Sequence, residues 1–253
     1  MLAAWIVLLS AAVTSLPPSP PLHYRLELKG SLRFEGGAAD TAGRNGDASA
    51  VVFLTATMRD SAGGRIAHVV IDSATCMGSG VLSMAFDSSV ARRSRGAWFD
   101  VALVGGARNE TPEASIRNPL TGRVAPALRM LFAPHHPALG PKVAFADTID
   151  VLASSQRWKQ RTPTVTRWKV TEYDSAHAVL DGEVSGVATV TGQVLASGLV
   201  IGHRTIVLAA DGTVQRSVFT TSQQTLLAPQ DNSAIYRAVG TTTGTVTLLP
   251  EQP

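Results

Sequence analysis

Leu22-His-Tyr-Arg-Leu-Glu-Leu-Lys-Gly-Ser-Leu-Arg-Phe-Glu35 decides the fold class of this chain. Leu22, Tyr24, Leu26, Leu28, Leu32 and Phe34 share one parity, interrupted only by Gly30. His23, Arg25, Glu27, Lys29, Ser31, Arg33 and Glu35 share the other. A period of two is the signature of a strand with one face in a core and one in water, whereas a helix would scatter the same residues around its circumference. The run is roughly 45 Å long at about 3.4 Å per residue, more than twice a usual strand. A strand of this length needs partners of similar length, and a sheet built from them must twist and curl.

The last third supplies such partners. Thr164 to Tyr173 precedes an Asp174-Ser175 turn. Asp181-Gly182 and Asp211-Gly212 each lie between apolar runs, the pattern of a tight hairpin. Tyr236 to Leu249 supplies closing strands. Upstream, Ala50–Arg59 and Arg65–Asp72 flank the Asp60-Ser-Ala-Gly-Gly64 turn, and Trp98–Val104 alternates again. Leu82, Phe86 and Val90 recur every four residues. They predict an amphipathic helix over Ser79–Gly96, capped by Ser79 and ending in Arg92, Arg93 and Arg95, where positive charge suits the helix dipole. Ala125–Phe132 reads as a second short helix and Ser154–Thr162 as a polar loop. The expected fold is mainly β: long antiparallel strands in a curved sheet or half-barrel, with one or two short helices. Residues 22–250 form one β-rich domain, with a hint of two pseudo-repeated halves, 22–132 and 141–250.

The N-terminus has a different character. Residues 1–15 are apolar and too short to span a bilayer comfortably, which needs about 20 residues. They have the length of a secretory h-region, with Val13 and Ser15 at the −3 and −1 positions. A signal peptide over 1–15 is therefore expected, followed by a Pro-rich leader over 16–21. The expected location is exported, periplasmic or extracellular, with membrane contact only through an uncleaved leader. The net charge of +3 is small and the basic residues are spread along the chain, so nucleic acid is not an expected partner. Cys76 is the single cysteine; it can form no internal disulfide and reads as a small, partly buried thiol.

Residues 126–152 include Ala-Leu-Arg-Met-Leu-Phe-Ala-Pro-His-His-Pro and Val143-Ala-Phe-Ala-Asp147-Thr148-Ile149. This segment resembles a pattern in uncharacterised exported β-rich bacterial proteins, where a short helix ends in a Phe-Pro…Pro motif and leads into a Gly-Asp-Thr-Trp strand start. Gly198 to Val214, with its Asp211-Gly212 turn, is similar to their long hairpins. Ala146 stands where those proteins have Gly, and Ile149 where they have Trp. The resemblance covers mainly the C-terminal half. It implies export and long curved strands, like half-barrels that carry lipids or lipoproteins, and brings no activity or catalytic residue with it.

Few residues suggest chemistry. Ser79 has Gly78 and Gly80 beside it, but Met77 replaces the first glycine of a nucleophile elbow. No phosphate loop, dinucleotide fingerprint or His-Glu-x-x-His occurs. His135, His136, Asp147 and Asp150 form the one local polar cluster; adjacent residues on a strand point apart, so no metal site and no cofactor are expected. Trp158 and Trp168 interleave with Arg157, Lys159, Arg161, Arg167 and Lys169, which a strand with tryptophan inward and cations outward explains as well as any anionic ligand. The expected function is binding of a lipid, another apolar ligand or an envelope partner on the curved sheet. Leu22, Tyr24, Leu26, Leu28, Leu32 and Phe34 are the ligand-facing candidates. The alternatives are a hydrolase of envelope material, using His135, His136, Asp147 or Asp150, and a purely structural or assembly role.

Overall fold

The computed structural model describes residues 20–35, 45–61, 64–102, 120, 139–154, 158–192, 194–229 and 236–250. The strands are β1 (Leu22–Glu35), β2 (Gly46–Ser61), β3 (Gly64–Gly78), β4 (Trp98–Ala102), β5 (Ala144–Ser154), β6 (Trp158–Tyr173), β7 (His177–Gly192), β8 (Val194–Ala209), β9 (Val214–Pro229) and β10 (Tyr236–Leu248). A 3-10 turn, Gly80–Leu82, and a helix, α1 (Ser88–Ser94), lie between β3 and β4. All ten strands form one sheet in the order β4-β3-β2-β1-β10-β9-β8-β7-β6-β5. Every pairing is antiparallel. Strands adjacent in the chain are adjacent in the sheet, except that β1 closes on β10 and that β4 and β5 stand at opposite edges. Among the described residues those two edges do not pair, so the sheet is an open up-and-down half-barrel.

The opening stretch lies at the middle of this sheet. Leu28 faces Ala50 on β2 and Gly244 on β10. Tyr24 and Leu26 are fully buried, whereas their neighbours Arg25 and Lys29 are exposed. The same parity holds across the sheet: Val52, Leu54, Ile71, Leu180, Ile206 and Val246 all lie in one core on the inner face. Each such side chain contributes about 2 kcal/mol when taken from water. The described residues that cover this face are few, chiefly α1 and Leu120. Long twisted strands bury it by curling the sheet against itself.

The helical segment is shorter than its spacing predicts. Asp87, not Ser79, begins α1: its Oδ1 accepts hydrogen bonds from the Val90 amide at 2.8 Å and from Ser89 Oγ at 2.7 Å. Those bonds, the hydroxyl's first, hold the Asp87 carboxyl below the usual carboxylate range. Ser79 precedes the 3-10 turn without capping it; its Oγ accepts from the Asp47 amide instead. Gly80, at φ +53°, breaks the run. Phe86 and Val90 still reach the core and Leu82 packs against it, so the apolar period reported a covered face although not a continuous helix. Arg92 and Arg93 occupy the last turn of α1 as expected.

Two further expectations are corrected. Asp181-Gly182 is not a turn but lies inside β7, and part of Ser154–Thr162 belongs to β6 rather than to a loop. Gly182 is needed in mid-strand because a Cβ there would stand 2.7 Å from the Trp168 ring. Asp211-Gly212 is the true hairpin, with Gly212 at φ +82° and its amide donating to the Ala209 carbonyl. The expected leader over 1–15 and the expected helix over 125–132 lie outside the described residues. No helix among the described residues is long and apolar enough to cross a membrane.

Candidate functional site

One cross-strand row on the inner face departs from simple core. It runs Phe145, Trp168, Gly182, Arg204, Phe219, Gly244, Leu28 from β5 through to β1. The two glycines leave gaps that their aromatic neighbours fill. The Trp168 indole leans over Gly182 and the Phe219 ring over Gly244, where an added Cβ would collide with it. Trp168 also stacks on Phe145, with centroids 6.4 Å apart and planes tilted by 26°.

Arg204 sits between these rings. Its guanidinium carbon lies 5.5 Å from the Trp168 ring centroid, and the residue is 1% exposed. None of its three side-chain nitrogens has a hydrogen-bond partner. Trp168 Nε1 and Ser217 Oγ are likewise buried without partners. Ser217 pairs with Ile206, two residues along β8 from Arg204, and so belongs to the next inward row. Guanidinium and indole nitrogens only donate, and a hydroxyl can donate. Two adjacent inward rows therefore carry buried donors that meet no hydrogen-bond acceptor.

Electrostatics repeat the point. Burial pulls the Arg204 guanidinium down to about 9, against the opposing pull of Asp147. Asp147 faces Thr166, itself buried, one row below Trp168. Burial raises its carboxyl above the usual range, while the Thr148 amide and then Arg204 act the other way. No hydrogen bond joins Asp147 to Arg204. An unpaired buried charge costs several kcal/mol even after the surroundings relax, and a buried donor without an acceptor about 1–3 kcal/mol.

Below this row the inner face becomes small and hydroxylated. Gly202 faces Thr221 and Val184; Gln223 faces Val200 and Gly240. Thr221, Thr242 and Gln223 are half-buried, as are Leu32 and Phe34. The six β1 candidates thus divide. Tyr24, Leu26 and Leu28 are buried in the core, Leu22 packs at its margin, and Leu32 and Phe34 lie toward the less buried end. Burial, followed by the charge of Asp211, raises the Tyr24 hydroxyl above its ordinary value.

The polar cluster expected around His135, His136, Asp147 and Asp150 is described only in part. His135, His136 and the Asp150 side chain lie outside the described residues, and Asp147 has Arg204 as its charged neighbour. Cys76 is buried and its thiol donates to the Asp87 carbonyl at 3.0 Å. Trp168 turns inward while Arg167 and Lys169 are exposed, the structural alternative noted from sequence. Histidines on the outer face pair with carboxylates: His68 with Asp100 at 2.7 Å, His177 with Asp174 at 2.8 Å and His203 with Asp181 at 2.9 Å. No group of three metal-ligating side chains occurs among the described residues. A cleft of about 490 Å³ opens across β10, β1, β2 and β3, with Lys29, Ser31, Asp47, Ser49, Met77 and Thr243 in its lining. It is a shallow, hydroxyl-rich dish away from Arg204.

Arg204 itself was within reach of the sequence. It shares parity with Val200, Ile206 and Leu208, which places it inward and His203 outward. What alternation does not reveal is that no carboxylate meets it. A scan against protein-family models matches none, and a search of curated proteins finds no similar sequence.

Proposed function

We propose that this chain is an exported, non-enzymatic protein that binds an amphipathic acid on the inner face of its half-barrel. The observation that carries the reading is Arg204: a fully buried guanidinium with no acceptor, beside two more unpartnered buried donors, Trp168 Nε1 and Ser217 Oγ. A carboxylate or phosphate head would supply several acceptor oxygens at once, and charge-assisted bonds to guanidinium are the strongest of their kind. The apolar part of such a ligand suits the less buried end, toward Leu32 and Phe34. Export rests on the apolar leader at residues 1–15.

The test compares a long-chain fatty acid with the alcohol of the same chain length, by thermal shift and by titration. The acid is expected to bind the wild-type protein and raise its Tm, the alcohol to bind at least tenfold more weakly, and Arg204→Leu to bind both alike. Equal binding of acid and alcohol by the wild type, or binding of neither, overturns the reading.

A further inference from the structure

The inner face does not fill evenly around Arg204. At Gly182 and Gly244 the rings of Trp168 and Phe219 occupy the space that the missing side chains leave. The next row along the strands runs from Asp147 on β5 through Thr166 on β6, Gly202 on β8, Thr221 on β9 and Thr242 on β10 to Gly30 on β1. It holds no aromatic ring. A Cβ on Gly30 would meet nothing nearer than the Thr241 carbonyl oxygen at 3.4 Å. One on Gly240, in the row after, would meet nothing nearer than the Ser31 carbonyl oxygen at 3.8 Å. These are ordinary contact distances, so the inner side of the seam between β1 and β10 keeps room that no side chain takes.

The same row is polar where it adjoins Arg204. Thr166 lies two residues from Trp168, the ring over which the guanidinium leans, and is 4% exposed. Asp147 faces it across the ladder and bonds with the Thr148 amide. Among the described residues no hydrogen bond holds the hydroxyl of Thr166, Thr221 or Thr242. A plain hydrocarbon chain beside these groups would remove their water and return no hydrogen bond, which disfavours it. A ligand hydroxyl can donate to Asp147 and accept from Thr166 at once, whereas an ester oxygen only accepts and a methylene does neither.

We propose that the acid held at Arg204 carries a hydroxyl close to its charged group, and that Thr166 and Asp147 select this hydroxy acid over the plain one. The proposal rests on the reading of Arg204 as the anchor of an acidic head. Thr166 is about 7 Å beyond Trp168 at the rise of a strand. A hydroxyl within a few carbons of the head therefore reaches the row, and one at the far end of the chain does not. The rest of the chain has the room above Gly30 and Gly240.

The test is calorimetric titration of the full chain with three acids of equal chain length: the plain acid, the acid with a hydroxyl on its third carbon, and the acid with a hydroxyl on its last carbon. The wild type is expected to bind the 3-hydroxy acid about tenfold tighter than either of the others. Thr166→Val and Asp147→Ala are each expected to bring the ratio of 3-hydroxy to plain acid to within about twofold. The ratio is read rather than the affinity, because removing the Asp147 charge alters the binding of every acid. The Tm of each variant shows that it is folded, and either variant alone suffices. Equal binding of all three acids by the wild type, each tighter than the alcohol, overturns the proposal and leaves the acid reading standing. A preference for the 3-hydroxy acid that both variants retain overturns it too, since the selecting groups would lie elsewhere. Binding of no acid overturns the acid reading and this proposal together.

Discussion

At Arg204, burial strips a guanidinium of water and offers it an aromatic face and a carboxylate one row away, but no hydrogen-bond acceptor. A cation–π contact contributes about 0.5–2 kcal/mol, less than the desolvation it accompanies. The ligand-free protein should therefore be destabilised by this residue, and Arg204→Leu should raise the Tm of the empty protein at pH 7. The pH dependence has a definite sign. The folded-state value, about 9, lies well below the ordinary value of a guanidinium, so the penalty is complete below pH 9 and is progressively relieved as pH rises above it. Denaturant titrations of both proteins should show the advantage of Arg204→Leu shrinking between pH 9 and pH 11. An advantage constant over that range would mean that the guanidinium is not strained by its surroundings. Asp147 has the opposite dependence: its raised carboxyl favours the neutral form, so it lowers stability as pH rises through its titration. Its part was hidden in the sequence. Beside His135 and His136 it reads as one member of a local polar cluster; its charged neighbour in space is 57 residues away in the chain.

Among the elements, the two Asp-Gly pairs separate what is legible from what is not. Both lie between apolar runs, and by local chemistry both read as hairpins. Asp211-Gly212 turns, and its glycine occupies the left-handed region. Asp181-Gly182 runs straight through β7, because its glycine makes room for an indole on the next strand. Local sequence states that a side chain is absent; it does not state whether backbone conformation or a neighbour demands the absence. Gly182→Val should accordingly destabilise the protein by about 1–3 kcal/mol through overpacking against Trp168. It should also perturb the tryptophan near-ultraviolet signal, whereas the far-ultraviolet spectrum should stay that of a β protein. A Gly182→Val protein with wild-type Tm and near-ultraviolet spectrum would remove the packing role assigned to this glycine. The helix shows the same division. Leu82, Phe86 and Val90 carry a helical period and face the core, but the left-handed Gly80 and the Asp87 cap divide the segment into a 3-10 turn and α1.

At the scale of the molecule, alternation was enough to give a mainly β chain of long antiparallel strands, because parity is a local property that sets which side of the sheet each residue takes. Strand order was less accessible. The pairing of β1 with β10 brings residues more than 200 positions apart into register, as in Tyr24 opposite Leu248, and nothing in either strand alone announces its partner. This closure places the first and last strands side by side, leaves β4 and β5 as the edges, and sets the Arg204 row across the inner face. An interior built this way from one curled sheet has room to differ along its length. It is fully buried from Tyr24 to Leu28 and only half-buried among Thr221, Gln223, Thr242 and Leu32.

The most direct measurement is native mass spectrometry of the whole protein, secreted and purified without detergent, beside Arg204→Leu prepared in the same way. The wild type is expected to carry one acidic amphiphile per chain, identified as an organic anion after solvent extraction, and the variant to be empty yet folded. A wild-type protein that is uniformly empty and fails to take up added acid, or that retains a neutral lipid equally well in both forms, would contradict the binding of an acid at Arg204.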